Sequence, residues 1–273
     1  MSYKIVCSDL DGTLLNNDSQ VSRENLQAIE TLIQKGVLFV PASGRSFLQI
    51  PEEIRNNPAI RYIICSNGGV FYDRHSNQRQ VMGMSSQVLK DIFEIFKEYE
   101  ALVTIDYNGY TYADMAYNNE SSLEYYHIVK EQRMIFRTLI VWKEDFFNFC
   151  SQIEEGEMFS VFFHDYDAAM ECKSKLERLG GLRVTGTAER NLEIINEKVG
   201  KGNALRGIAE SNSIAKEDII SIGDSWNDIS SLEAAGLGLA VSNACDSLKE
   251  VADEIICSNE EHIVPYILSH YFE

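Results

Sequence analysis

The stretch Tyr3-Lys4-Ile5-Val6-Cys7-Ser8-Asp9-Leu10-Asp11-Gly12-Thr13-Leu14 decides how the chain is read. A short apolar run containing β-branched Ile5 and Val6 predicts a buried strand. It ends on two carboxylates, Asp9 and Asp11, separated by one residue, and Gly12 then punctuates the strand end. Two anions at the C-terminal tip of a parallel strand repel each other unless something positive lies between them. A divalent metal resolves that conflict, and such tips are where open α/β sheets place their chemistry. Asp and Gly also suit an ordinary solvated turn, so the reading depends on the rest of the chain.

Outward from this strand, strand-like and helix-like segments alternate. Ser22 is placed to cap a helix whose Leu26, Ile29, Leu32 and Ile33 recur at helical spacing. Val37-Leu38-Phe39-Val40 reads as a second buried strand running into Ser43-Gly44-Arg45. A helix around 46–55 and the strand Tyr62-Ile63-Ile64-Cys65 follow, ending at Ser66-Asn67-Gly68. The alternation returns near the C-terminus, with a helix over 201–211, the strand Ile219–Ile222, a helix near 227–235 and the strand Leu237–Val241. A helix near 246–252, a short strand at 254–257 and a last helix complete it. This pattern predicts an α/β fold, a Rossmann-like parallel sheet covered by helices on both faces.

The middle of the chain reads differently. Leu102–Asp106 and Tyr110–Asp114 flank Asn108-Gly109, a strong hairpin signal. Helix-like runs lie near 119–132, 143–155 and 166–179, and further strands at 158–163, 182–187 and 191–195. Hairpins beside helices predict an α+β unit with an antiparallel sheet and its own core. The expected organisation is a core of 1–83 and 191–273 interrupted by an inserted domain at 84–190.

Composition narrows the function. With 45% apolar and 24% charged residues the chain is a globular protein, and its formal net charge of −18 disfavours nucleic acid and anionic membrane as partners. No apolar run approaches the ~18 residues of a membrane span. The six cysteines form no C-x-x-C pair and no zinc spacing with histidine, so a reducing, cytoplasmic location is expected. No cleaved signal is expected if the first strand, which begins almost at once, belongs to the fold.

Three more polar signals stand where strands end or helices begin. Ser43-Gly44-Arg45 offers a hydroxyl, a permissive backbone and a fork of donors for an anion. Lys201 opens a helix after Val199-Gly200. Gly223-Asp224-Ser225-Trp226-Asn227-Asp228 ends a strand with several ligands or acceptors. Each has a plainer reading as a turn hydroxyl, a solvated cation or an N-cap. Four polar groups of complementary charge at one end of one sheet are hard to assign to caps alone.

Together these segments resemble the four ordered motifs of the haloacid dehalogenase superfamily, and the insert resembles the α+β cap of its Cof-type phosphatases. The likeness runs over essentially the whole chain. There are two departures. Ser43 stands where the family often has Thr, which keeps the hydroxyl. Ser258-Asn259-Glu260-Glu261-His262-Ile263 stands where the family usually reads Asn-x-(Asp/Glu)-Gly-Val.

The resemblance implies phosphomonoester hydrolysis through an aspartyl-phosphate. Asp9 would be the nucleophile and Asp11 the acid and base. Mg²⁺ would be held by Asp9, the Asp11 carbonyl and Asp224, with Asp228 either at the metal or orienting Lys201. Leu10, Ser43, Gly44, Lys201 and Asn227 would hold the phosphoryl oxygens, and Arg45 and Asn67 would reach the leaving group. A carboxylate two residues after the nucleophile favours phosphatases and phosphomutases over dehalogenases and cation pumps. The inserted domain would select the substrate, with Arg190 and Asn191 as candidates; its aromatic runs read as core. The substrate expected is a small phosphorylated metabolite, sugar phosphates first. The alternatives are a phosphomutase of the phosphomannomutase type and a non-catalytic metabolite-binding module. Gly200-Lys201 is not a Walker A loop, because Gly202 replaces its Ser/Thr, and Asp9-x-Asp11-Gly12 places glycine too early for an EF-hand.

Overall fold

The computed structural model describes residues 3–188 and 190–272. The chain divides into two compact units, one of Met1–Arg45, Ile50–Gln80 and Gly200–Glu273, the other of Ser46–Gln49 and Val81–Val199.

The first unit is built on an eight-stranded sheet. From one edge its strands are Glu254–Ile256, Leu237–Val241, Ile219–Gly223, Ile5–Asp9, Leu38–Ala42, Tyr62–Cys65, Val70–Asp73 and Gln78–Val81. The first six run parallel, and Val70–Asp73 returns antiparallel. Every residue of Ile5–Asp9 is buried, as expected for a strand covered on both faces. The helix Arg23–Gln34 is capped by Ser22, whose hydroxyl accepts the Asn25 N–H at 3.1 Å. The helix Lys201–Ser211 lays Ala204, Leu205, Ile208 and Ala209 against Ile5, Cys7, Val40, Ile64 and Ile219 of the sheet.

Register places the site. Asp9 pairs with Ala42 and Ser8 with Ile222, so Ser43 and Asp224 lie just beyond the same sheet end as Asp9. The strand carrying Asp9 is central, with connections leaving on both sides, which is the crevice where such sheets bind ligands.

The second unit has a six-stranded sheet in the order Leu182–Ala188, Asn191–Asn196, Met158–Phe163, Ala101–Tyr107, Tyr110–Asp114 and Ile140–Lys143. Its pairs are antiparallel except the last, which is parallel. Asn108 and Gly109 both take positive φ, 54° and 81°, as the Asn-Gly hairpin requires. One sheet face buries Val103, Ile105, Phe159, Val161 and Phe163 under Phe93, Phe96, Phe146 and Leu176.

Several expectations are corrected. Asn191–Asn196, read as the return to the α/β core, pairs with Met158–Phe163 and Leu182–Ala188, so it belongs to the second sheet. The helix expected at 46–55 is only Glu52–Arg55. Pro51 lacks the N–H to continue a helix, and Ser46–Gln49 packs into the second unit. The run at 119–132 is two helices, Glu120–Tyr125 and Lys130–Thr138, broken at His127 with φ 56°. The helix Ser86–Phe96 was missed, although Leu89, Ile92, Phe93 and Phe96 carry its spacing. No described helix is long and apolar enough to cross a membrane.

Candidate active site

Lys201 is the centre of the charged cluster. Its residue is 1% exposed, and its ammonium donates to Asp9 Oδ1 at 2.5 Å and to Asp228 Oδ1 at 2.6 Å. Burial works against that charge, but Asp228 and Asp9 outweigh it and hold the ammonium protonated above the ordinary lysine range. Burial pushes the Asp9 carboxyl well above the usual carboxylate range; Lys201 opposes this, while Asp228, Asp224 and Asp11 add to it. Asp224 is raised as well, by burial first and then by Asp228.

Carboxylate oxygens of Asp9, Asp224 and Asp228 lie within 4.8 Å of one another. Three carboxylates facing one ammonium leave two negative charges uncompensated when all are ionised, which is the charge of a divalent cation. Asp224 is held by Thr13 Oγ1 at 3.3 Å and by Ser225 Oγ at 2.8 Å. Gly12 lies against it at φ 76°, and any Cβ there would come within 2.6 Å of Asp224 Oδ2. The donor set therefore fits a hard divalent ion with oxygen ligands. Asp228 is already engaged at both oxygens, since Oδ2 accepts the N–H groups of Asp224 and Ser225 at 3.1 Å each.

Asp11 lies at the site's open side, its side chain 53% exposed, and is gripped by Arg45 through two contacts: Nε to Oδ2 at 2.9 Å and Nη2 to Oδ1 at 2.6 Å. The fork expected to take an anion is thus on Asp11. Ser43 is buried, and its hydroxyl accepts the Arg45 N–H at 3.1 Å. Asn227 Nδ2 donates to Asn67 Oδ1 at 3.1 Å. All the core-motif residues expected from the sequence therefore stand at one sheet end of the first unit. Arg190 and Asn191 lie in the second unit, with Arg190 Nη1 3.0 Å from His127 Nε2. Sequence reasoning missed Thr13 and Ser225 as supports of Asp224, and the Arg45–Asp11 pairing. The signal available for the first two was a hydroxyl one or two residues after an expected ligand, Ser225 after Asp224 and Thr13 after Asp11.

The atypical loop over 258–263 turns through a left-handed residue. His262, standing where the family has glycine, takes φ 60°, and its Nδ1 lies 2.9 Å from Ser22 Oγ. Asn259 N donates to Asn243 Oδ1 at 3.0 Å, and Asn243 Nδ2 to the Gly12 carbonyl at 2.7 Å, so the loop braces the first motif. Cys7, beneath Asp9, is no second nucleophile: burial pushes its thiol up to about 12.

The family model described as haloacid dehalogenase-like hydrolase matches residues 6–268. The 5-amino-6-(5-phospho-D-ribitylamino)uracil phosphatase YwtE of Bacillus subtilis is 30% identical, with 97% of this chain and 96% of that protein covered. The phosphatase YwpJ of the same organism is 28% identical over 98% of this chain and 99% of its own length. Among solved structures, TM0651 from Thermotoga maritima superposes with a TM-score of 0.82 at 26% identity, covering 98% of this chain and 97% of that one. The chain belongs to the haloacid dehalogenase-like hydrolases and is an enzyme of their Cof-type phosphatase kind.

Proposed function

We propose that the protein is a Mg²⁺-dependent phosphatase of small phosphorylated metabolites, sugar phosphates first among them, working through an aspartyl-phosphate on Asp9. The observation that carries this is the Lys201 ammonium bridging Asp9 and Asp228 beside Asp224, in a cluster short of two positive charges. Relatives named as phosphatases support the same reaction class.

Asp9, the Asp11 carbonyl and Asp224 would hold the metal. Bound there, Mg²⁺ offsets the repulsion between a carboxylate and a phosphate dianion and draws charge from the transferring group. An Asp9 oxygen attacks phosphorus in line, the ester P–O bond breaks, and Asp11 gives its proton to the leaving alkoxide. Water then attacks the phosphoryl group, Asp11 takes the water's proton, and the P–O bond to Asp9 breaks, restoring the carboxylate. Arg45 keeps Asp11 aimed. Lys201 neutralises Asp9 so that an anionic substrate can approach, and it contacts the phosphoryl oxygens together with Ser43, Asn227 and the Leu10 and Gly44 N–H groups. The engagement of both Asp228 oxygens supports its role in orienting Lys201 rather than ligating metal directly. The inserted unit is assigned substrate selection, in a protein expected to act in the cytoplasm without nucleic-acid or membrane partners.

The test is a screen of phosphorylated metabolites with Mg²⁺. Steady phosphate release without a bisphosphate activator, abolished by EDTA and restored by Mg²⁺, is expected. Dependence on bisphosphate indicates a mutase instead, and no release from any metabolite sinks the reading.

A further inference from the structure

The turn Ser66-Asn67-Gly68 is costly in its backbone and rich in contacts. Its three residues all take left-handed φ, 50°, 54° and 93°. Two of them carry side chains, and both are buried. Backbone of this kind persists only where the surroundings over-determine it, and such turns concentrate at functional sites.

The surroundings here are three of the four motif segments. Ser66 N donates to the Arg45 carbonyl and Asn67 N to the Ser43 carbonyl, each at 3.0 Å, which fixes the path of Ser43-Gly44-Arg45. The Asn67 carboxamide lies over Gly44, where a Cβ would come within 3.1 Å of its Oδ1. Gly68 packs so closely on the start of the Lys201 helix that a Cβ would fall 2.4 Å from the Gly200 carbonyl and 2.8 Å from Lys201 N. Finally, Asn67 Oδ1 accepts from Asn227 Nδ2. Among the described residues that is the one hydrogen bond holding the Asn227 side chain, whose Oδ1 is buried without a partner.

We infer that Asn67 is a positioning residue, not a substrate contact: by taking one N–H of Asn227 it fixes the plane of that amide and so aims the second N–H at the phosphoryl oxygens. This rests on the proposed function for the identity of the ligand. Asn67 suits the task because its side chain tolerates left-handed backbone better than most and supplies the acceptor as well. Ser66 and Gly68 hold the turn so that the acceptor stays in place.

The test is a double-mutant cycle with Asn67→Gly and Asn227→Ala, read by phosphate release and by inhibition with inorganic phosphate, both with Mg²⁺. Glycine keeps the left-handed turn, so Asn67→Gly is expected to fold with an unchanged or higher Tm. It should weaken inorganic phosphate and raise KM by about 10-fold, while kcat falls less. Asn227→Ala should do the same, and the double variant should be no worse than either single one, because Asn67 acts only through Asn227. Losses that multiply to about 100-fold mean that Asn67 touches substrate independently and overturn the inference. Wild-type parameters in Asn67→Gly overturn it too. A wild-type protein that neither releases nor binds phosphate defeats both this inference and the proposed function, whereas multiplicative losses in an active enzyme defeat the inference alone.

Discussion

The two units bury polar side chains in different company. In the first, Asp9 and Asp228 share the Lys201 ammonium in a charged network, so that removing the lysine strands both acids at once. In the second, the Thr111 hydroxyl donates to Asp106 Oδ1 at 2.6 Å, lies 2.9 Å from Ser46 Oγ and accepts from Gln49 Nε2 at 2.9 Å, a network of hydroxyls and amide around one acid. Their apolar cores differ as well. The first is mostly aliphatic around one edge-to-face pair, Tyr62 on Phe71, while the second turns on phenylalanines, with Phe159 edge-to-face on Phe93 at 5.2 Å and on Phe96 at 5.5 Å. The lesson is that one unit holds reactive charge and keeps its apolar packing simple, whereas the other holds shape. Substitutions should therefore separate activity from stability according to the unit they fall in.

The sharpest separation is expected at Asp9. Asp9→Asn is isosteric and removes a negative charge from a crowded acidic cluster, so it should abolish phosphate release by at least ~10³-fold with the circular dichroism and Tm intact. Full turnover in this variant would remove Asp9 as nucleophile. Lys201→Met joins the two effects. It strands Asp9 and Asp228 without their cation, so activity should vanish and unfolding should cost about 3–5 kcal/mol less in denaturant titrations. An active Lys201→Met enzyme breaks the charged-network half of the comparison.

Phe159→Ala tests the other half. Emptying a fully buried ring site should cost about 3–5 kcal/mol, read as lost hydrogen-exchange protection. The loss should concentrate in the second sheet, leaving the Ile5–Asp9 strand protected; equal loss in both would mean that the units unfold as one.

A smaller effect is expected at Asp73, far from the charged cluster. Arg61 holds the Asp73 carboxyl well below the usual carboxylate range through Nε at 3.0 Å and Nη2 at 2.9 Å, helped by the His75 and Ser76 N–H groups. The folded state thus binds this proton less readily than the unfolded chain. The stabilisation is complete above the unfolded value of about 4 and is lost as pH falls further, toward the folded value. Asp73→Asn should lower stability at neutral pH by about 1 kcal/mol, discounted for the partly exposed pair, and flatten the acid limb of the stability curve. The smallest effect belongs to His262→Gly. Relief of the positive φ is offset by loss of the Ser22 contact, and a net gain of about 0.5 kcal/mol is expected in Tm measurements.

Much of the first unit was legible because its signals are local. Ile5–Asp9, Tyr62–Cys65 and Lys201–Ser211 follow from apolar runs and punctuation, and the motif residues sit at their ends. The Arg45–Asp11 pair and the Asn67–Asn227 contact were not legible, because they depend on side chains meeting across loops, 34 and 160 residues apart. Asn191–Asn196 was misassigned for a related reason: an apolar run predicts a strand but not which sheet it joins. Pro51 was readable as a break in the 46–55 helix. The departure of Ser46–Gln49 into the other unit was not, since nothing in those four residues names their partners.

That departure bears on how such proteins are engineered and how they diverge. The inserted unit is not a cassette between two cuts, because the backbone enters it at 46, leaves at 49, returns at 81 and leaves again at 199. Leu48 N is bonded to the Gly109 carbonyl of the hairpin turn, so a graft of 81–199 alone would leave that carbonyl and Thr111 facing a recipient's unmatched tetrapeptide. Chimeras that exchange this unit between relatives should transplant both segments together, and lineages that swap the larger piece must also rewrite the four residues that follow Arg45.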